Sequence, residues 1–124
     1  MERVTGVGGV FLKANDPAGL AAWYRDHLGF DLEAGSAAVS VFRWSEPGTT
    51  TWSAFPADTR YFGHPNARGM INYRVVNLDQ MLEQLRRAGV PVDDRVEVSQ
   101  YGRFGWATDP EGNRFELWEP APGL

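Results

Sequence analysis

The sequence predicts an α+β fold built from two tandem βαβββ units. Each half contains one helix pattern that ends at a glycine, Gly29 in the first half and Gly89 in the second, about sixty residues apart. One strand pattern precedes each helix and three follow it. Because the helix of such a unit covers only one face of its sheet, the uncovered faces of the two units must meet each other or enclose a cavity.

The length of 124 residues is that of one domain. We expect unit one at about residues 4–56, a connection at 57–68 and unit two at about 69–120. Aromatic residues make up 13% of the chain and five of them are Trp, which is a surplus over what a core needs. This surplus favours a cavity that takes flat or apolar ligands.

Composition excludes several classes of protein. The net charge of -4 leaves no basic stripe for nucleic acid. The chain has no Cys, which excludes disulfides and thiolate metal sites. No apolar run approaches the length that spans a bilayer, and no apolar leader precedes the first strand. We therefore expect a cytoplasmic protein that binds neither nucleic acid nor membrane.

Unit one begins with a strand at 4–14, which is weakened by glycines in its first half. Asp16 is the expected N-cap of the first helix, with Pro17 in its first turn. Three more strands are expected after the helix, at 30–33, 37–44 and 49–55.

Unit two repeats this order after a long connection rich in Pro and Gly, in which Tyr61 and Phe62 belong either to a lid or to a simple crossover. A strand at 69–76 leads to a helix capped by Asn77. The apolar side chains of this helix follow helical spacing: Leu78, Met81, Leu82 and Leu85. Short strands are expected at 90–92 and 95–100.

The last part of the chain predicts a β-hairpin. Two apolar runs, 104–108 and 114–118, flank a turn in which Pro110 presets φ and Gly112 supplies a positive φ. The second arm alternates, with Arg114, Glu116 and Trp118 on one face and Phe115 and Leu117 on the other. The first face, which places a carboxylate between a guanidinium and an indole, is typical of a cavity wall.

The helix start at 15–17, the segment 23–30 and the hairpin motif 109–117 together resemble the vicinal oxygen chelate superfamily, which includes glyoxalase I, bleomycin-resistance proteins and extradiol dioxygenases. The resemblance covers essentially the whole chain. It implies a U-shaped, eight-stranded mixed sheet around a cavity, often completed in a dimer, so we expect a homodimer. A shared fold says little about activity.

Metal-dependent members of this superfamily hold a divalent ion through the first and last strands of each unit. Carried over to this sequence, the last strand of unit two supplies Glu116, whereas the two His positions correspond to Gly9 and Met70. The fourth ligand would lie in 49–55, which contains no His, Asp or Glu. Glu116 alone, with waters, would hold such an ion only weakly, so we expect no cofactor and treat a divalent metal as the disfavoured alternative.

The predicted ligand-binding residues are polar or aromatic side chains on the strands that line the expected cavity: Phe11, Trp52, Asn72, Arg74, Tyr101, Phe104, Trp106 and Glu116. Glu116 is also the candidate catalytic residue. A structural explanation competes with each assignment: Glu116 forms an ion pair with Arg74, Asn72 satisfies Glu116 or backbone, and the aromatic residues fill the core. His27 is expected to be structural, and Asp93–Asp94 a solvated turn.

Three functions remain open at this point. The preferred one is a metal-independent protein that binds a small planar or aromatic ligand in its cavity. The alternative is a lyase, isomerase or dioxygenase relative that uses Glu116 with a displaced metal or as an acid–base group. In the third reading the protein is an accessory subunit whose own side chains fill the cavity.

Overall fold

The computed structural model of the protein describes residues 1–3 and 7–124, and its regular elements in this part are two helices and four strands. In chain order they are α1 (Pro17–Leu28), β1 (Ile71–Arg74), α2 (Leu78–Arg87), β2 (Glu97–Ser99), β3 (Gly102–Thr108) and β4 (Arg114–Pro120). The strands form one sheet in the order β1-β4-β3-β2, in which β1 runs parallel to β4 and the other pairs are antiparallel. The chain is therefore an α+β protein with a mixed sheet, as predicted.

Both helices begin and end where the sequence predicts. Asp16 caps α1 by accepting a hydrogen bond from the Gly19 N–H at 3.0 Å, and Gly29 ends the helix with φ of 72°. Asn77 caps α2 in the same way, through the Gln80 N–H at 3.0 Å. Neither helix of the described chain is long or apolar enough to cross a membrane.

The core lies between α2 and one face of the sheet. It is a single cluster of buried apolar side chains: Leu78, Leu82, Leu85, Val90, Ala107, Phe115 and Leu117. Gly105 of β3 lets α2 approach closely, since a Cβ there would lie 3.0 Å from a methyl group of Leu82. Phe115 and Leu117 of β4 thus face the core, as the alternation of the sequence predicts, and this leaves Glu116 on the other face.

The α1 helix, which belongs to the first half of the chain, packs beside α2 on unit two. The Tyr24 hydroxyl donates to Asp109 Oδ2 at 2.8 Å, and Asp109 starts the hairpin turn. The Glu111 carboxylate of the same turn accepts from the backbone N–H groups of Asn15 and Asp16 at 2.8 and 2.9 Å. These contacts fix the start of α1 to the hairpin.

The prediction of four strands in unit one was wrong for the part of the chain that the structure describes. Of the first one, residues 4–6 lie outside the described part, and residues 7–14 form no strand. The segments 30–33, 37–44 and 49–55 form none either, apart from an isolated bridge between Leu32 and Ser40. Alternating side chains make a strand only when another strand supplies hydrogen bonds and another layer covers one face. The described part of the chain supplies neither a neighbouring strand nor a covering layer to these segments.

The consequence is a set of large apolar side chains at the surface of the first half: Val10, Phe11, Leu12, Val39, Val41, Phe42, Trp44, Trp52 and Phe55. The described part of the chain forms a sheet of four strands, all in its second half, and not the eight-stranded, U-shaped sheet that the sequence predicts.

Candidate functional site

The site is built on the face of the sheet that points away from the helices. Strand register places Asn72, Glu116 and Trp106 side by side across β1, β4 and β3. Because side chains two residues apart in a strand share a face, a second row lies next to the first, formed by Arg74, Trp118 and Phe104. We call these two rows the sheet face.

Glu116 is at the centre of the sheet face and its side chain is buried, with 7% of the residue exposed. Its Oε1 accepts a hydrogen bond from Asn72 Nδ2 at 2.7 Å, and its Oε2 accepts one from Trp106 Nε1 at 2.9 Å. The Tyr61 hydroxyl donates a third hydrogen bond to Oε2. Three neutral donors therefore compensate the desolvation of this carboxylate.

Tyr61 comes from the long connection between the two halves and lies over the sheet face. Its ring meets that of Trp106 edge-on, with centroids 6.0 Å apart, and stacks on Phe55 at 5.4 Å. Arg114 Nε donates to the Tyr61 carbonyl oxygen at 3.1 Å and fixes the backbone. Burial, together with the hydrogen bond to Glu116, raises the pKa of the Tyr61 phenol.

The indole of Trp106 is fully buried, and two guanidinium groups lie close to it. The guanidinium carbon of Arg95 is 4.9 Å from a Trp106 ring centroid and that of Arg114 is 5.5 Å from it. Arg114 also forms an ion pair with Asp93, whose Oδ1 is 2.8 Å from Arg114 NH1. Asp94 is exposed at a bend, as expected for a solvated turn, and the Asp93 side chain is 36% exposed. The ion pair of Asp93 with Arg114 was not predicted.

The second row of the sheet face is aromatic. Phe104 and Trp118 stack with an interplanar angle of 8° and centroids 6.1 Å apart. The guanidinium of Arg74 lies over Trp118, 5.0 Å from a ring centroid. The row is a flat apolar surface beside the polar group of Glu116, and such a surface suits a planar ligand.

The structure thus brings together five of the predicted ligand-binding residues, namely Asn72, Arg74, Phe104, Trp106 and Glu116, and leaves the other three outside. Phe11 is 94% exposed and Trp52 is 80% exposed, in the first-half segments that form no strand. The ring of Tyr101 is exposed at the end of β3, and only its carbonyl reaches the site, as the acceptor for Trp118 Nε1 at 2.9 Å.

The ion pair between Arg74 and Glu116, which was one of the two interpretations of Glu116, is not formed. The Arg74 guanidinium donates to the carbonyl oxygens of Thr49 and Leu124, at 3.2 and 2.9 Å. The direct contact of Tyr61 with Glu116 was not predicted. Its only signal in the sequence was an aromatic pair in the long connection.

The residues of the sheet face do not fit a divalent metal ion. Among the six residues of the two rows Glu116 is the only carboxylate, and both of its oxygens already accept hydrogen bonds from Asn72, Trp106 and Tyr61. One carboxylate among neutral neighbours provides too few ligands to hold such an ion tightly. In the part of the chain that the structure describes, no cluster of three or more His, Cys, Asp or Glu side chains is arranged to hold an ion.

Several solved structures share the fold of this chain. The antibiotic-binding protein TnmS3 from Streptomyces sp. CB03234 is 21% identical, with a TM-score of 0.63 over 98% of this chain and 100% of that one. A glyoxylase/bleomycin resistance protein/dioxygenase domain from Frankia sp. EAN1pec is 18% identical, with a TM-score of 0.65 over 98% and 96%. TioX from Micromonospora sp. ML1 is 20% identical, with a TM-score of 0.55 over 91% and 94%.

The sequence also matches a known protein family. The family model of the Glyoxalase-like domain matches residues 9–118, so the chain belongs to this family and, with it, to the vicinal oxygen chelate superfamily. No curated protein matches the chain.

Proposed function

We propose that the protein binds a small, planar, aromatic molecule against the sheet face, without the help of a metal ion. The observation that supports this most directly is that a buried, hydrogen-bonded carboxylate, Glu116, lies beside a stacked aromatic pair, Phe104 and Trp118. The carboxylate and the Asn72 amide select polar groups at the edge of a ligand. The aromatic row holds its flat surface.

The ligand class that we propose is that of antibiotics with planar aromatic rings. One of the solved structures that resembles this chain over its whole length is an antibiotic-binding protein. The aromatic surplus of the sequence supports the same class. The identity of 21% is too low to indicate which compound is bound.

Tyr61 occupies the place that we assign to the ligand. Its phenol ring lies against Trp106 and its hydroxyl contacts Glu116. We infer that the ligand displaces this ring and takes over its hydrogen bond. The connection at 57–68 that carries Tyr61 is mostly exposed and contains no helix or strand, which suits a movable lid.

Metal independence is part of this proposal, and its support is the set of donors in the site. Of the four positions that hold the ion in metal-dependent relatives, this chain keeps a carboxylate at one, Glu116. A homodimer is also part of it, because the exposed apolar segments of the first half need a partner. A cytoplasmic location remains a prediction.

The proposal is tested by isothermal titration against a panel of planar aromatic antibiotics, with and without EDTA. We expect binding that EDTA does not change. The Phe104→Ala variant should bind about tenfold more weakly, since it loses one stacking surface. Val98→Ala is the matched control, because Val98 lies in the neighbouring strand and pairs with Arg103, so that it points away from Phe104. Binding that appears only with added divalent metal would contradict the proposal.

The enzymatic alternative, with Glu116 as the acid–base group, has less support, because both carboxylate oxygens are already engaged. Glu116→Gln separates the two hypotheses once a substrate is found. A protein that only binds its ligand has no turnover for this substitution to reduce, whereas an enzyme that uses this carboxylate loses activity. If neither the wild type nor Tyr61→Ala binds any member of the panel, the accessory-subunit interpretation is favoured, in which the site is filled by the chain itself.

A further inference from the structure

Arg74 lies at one end of the second row of the sheet face, and its guanidinium is held over an aromatic ring. The guanidinium carbon is 5.0 Å from a ring centroid of Trp118, and Trp118 in turn stacks on Phe104. The main chain also passes close to this group, since a Cβ at Gly48 would lie 3.3 Å from Arg74 NH2. The guanidinium therefore has a defined position at the edge of the aromatic surface.

No side-chain carboxylate of the described chain forms a salt bridge with this cation. Its hydrogen-bond acceptors are main-chain oxygens, of Thr49 at 3.2 Å and of Leu124 at 2.9 Å. The two guanidinium groups that lie over Trp106 at the other end of the sheet face, those of Arg95 and Arg114, each pair with an acidic side chain. Among these three cations on the sheet face, Arg74 is thus the one whose charge no acidic side chain balances.

A cleft of about 690 Å³ opens beside the Arg74 guanidinium. Two stretches of chain that belong to no helix or strand, 46–49 and 121–124, form much of its wall. Two carboxylates also line the cleft. That of Glu119 accepts a hydrogen bond from the Leu78 N–H at 2.9 Å, whereas Glu46 is exposed and forms no salt bridge within the described residues. The cleft is large enough for the polar end of a small ligand.

The chemistry of the guanidinium decides which polar group suits this cleft. Its planar set of five N–H donors matches the two oxygens of a carboxylate or the oxygens of a sulfonate. Hydrogen bonds to an anion are roughly twice as strong as those to a neutral acceptor. An anion can therefore replace the main-chain oxygens of Thr49 and Leu124, since both come from stretches outside the helices and strands.

We infer that Arg74 binds an acidic group of the ligand, so that the ligand class is that of planar aromatic acids, with a carboxylate or sulfonate at one edge of the ring system. The placement of the ring on Phe104 and Trp118 rests on the proposed function. The affinity of Arg74 for an anion does not, because it depends on the guanidinium and the cleft alone.

The opposite charge of Glu116 gives the ligand a direction. Glu116 lies in the neighbouring row, and its backbone position is roughly 8 Å from that of Arg74, as follows from the strand spacing and the rise of two residues. A carboxylate accepts hydrogen bonds and repels an anion. The acidic group of the ligand therefore lies at Arg74, and a hydroxyl or amine donor lies at Glu116.

The first test compares two probes that differ in charge but not in ring system, anthraquinone-2-carboxylate and anthraquinone-2-carboxamide, by isothermal titration. We expect the wild type to bind the acid about fivefold more tightly than the amide. Arg74→Met should remove this preference, because it retains an unbranched apolar side chain and loses the charge. Arg103→Met is the matched control, since Arg103 pairs with Asp79 of α2 on the opposite face of the sheet, and it should keep the preference.

Equal affinities of the wild type for the acid and the amide would overturn the inference while leaving the proposed binding of planar molecules intact. A preference for the acid that survives in Arg74→Met would overturn it as well, because another cation would then hold the acidic group.

The second test does not need the anthraquinone ring. Sodium benzoate and neutral benzamide are titrated into the ¹⁵N-labelled wild type while the Arg74 Nε–H signal is followed by NMR, with the signal assigned by its absence from Arg74→Met. We expect a saturable shift with benzoate and none with benzamide. If benzoate shifts this signal but no anthraquinone binds, the anion site stands and the proposed function fails. If benzoate leaves the signal unchanged, the inference is overturned, even where planar compounds bind.

Discussion

Glu116 shows how a charged residue is kept in a buried position without a neighbouring cation in hydrogen-bond contact. Asn72, Trp106 and Tyr61 donate to its two oxygens, and none of them carries a charge. In the described chain, no buried polar side-chain atom is left without a partner. Since an unpaired buried carboxylate costs several kcal/mol, the three donors are the condition for its presence.

The contribution of Tyr61 can be measured directly. Tyr61→Phe removes one hydrogen bond from Glu116 and leaves the aromatic contacts in place, so we expect the free energy of unfolding to fall by about 1 kcal/mol. Urea denaturation measures the loss. Tyr101→Phe is the control, because the Tyr101 ring is 56% exposed, and it should leave stability unchanged. Equal stability of the two variants would mean that the bond to Glu116 contributes nothing in solution.

At the scale of elements, the hairpin turn is the point at which the two halves of the chain are joined. The buried carboxylate of Asp109 accepts hydrogen bonds from the Asn113 backbone and side chain within the turn, at 2.9 and 2.8 Å, and from Tyr24 of α1. A turn motif that is local in the sequence therefore also positions a helix from 85 residues away.

We expect the loss of a single hydroxyl group at this junction to lower the stability of the protein strongly. Tyr24→Phe removes the hydrogen bond that the Tyr24 hydroxyl of α1 donates to Asp109, and it leaves a buried charged acceptor with one donor fewer. We therefore expect the free energy of unfolding to fall by roughly 2 kcal/mol. Chemical denaturation measures the change in the free energy of unfolding, and hydrogen exchange shows which elements are destabilised. Amides of α1 should lose protection before those of β3 and β4. Uniform loss across the molecule would contradict the assigned role of the junction.

Two glycines with positive φ in the hairpin differ in a way that can be tested. At Gly102 a Cβ would lie 2.2 Å from the Glu119 carbonyl oxygen, whereas at Gly112 it would meet nothing within 4 Å. Gly112→Ala should therefore cost only the strain of its φ, about 1 kcal/mol. Gly102→Ala should cost several times more, because β3 and β4 must separate. Similar melting temperatures for the two variants would contradict this.

At the scale of the whole molecule, three phenols are buried well enough to link stability to alkaline pH. Burial raises the pKa of Tyr24 and Tyr61, and it raises the pKa of Tyr73 to about 12 from 10.0. Above pH 10 the unfolded chain therefore loses these protons while the folded chain keeps them. The resulting stability is complete below pH 10 and is lost as the pH rises through 12.

We expect the urea midpoint to be constant from pH 8 to about pH 10 and to fall between about pH 10 and pH 12. Tyr73→Phe should flatten this fall, since it removes one of the three groups. Tyr101→Phe, which removes an exposed phenol and keeps the three buried ones, should follow the wild-type curve. A wild-type midpoint that stays constant up to pH 12 would show that the phenols are not buried in solution.

The sequence by itself determined both helices with their caps, the hairpin and the two faces of β4. These features depend on interactions between residues that are near in the chain: Asp16 and Asn77 cap the turn that follows them, and Glu116 alternates with its direct neighbours. The superfamily and five residues of the sheet face followed from the same local motifs.

Only the tertiary structure decided the rest. Tyr61 reaches Glu116 from 55 residues away, Arg74 turns to backbone carbonyls instead of Glu116, and Asp93 pairs with Arg114. The strand patterns of the first half form no strand, because alternation specifies which faces a strand would have but cannot supply its neighbours. Such contacts between distant parts of the chain leave no periodic signal in the sequence.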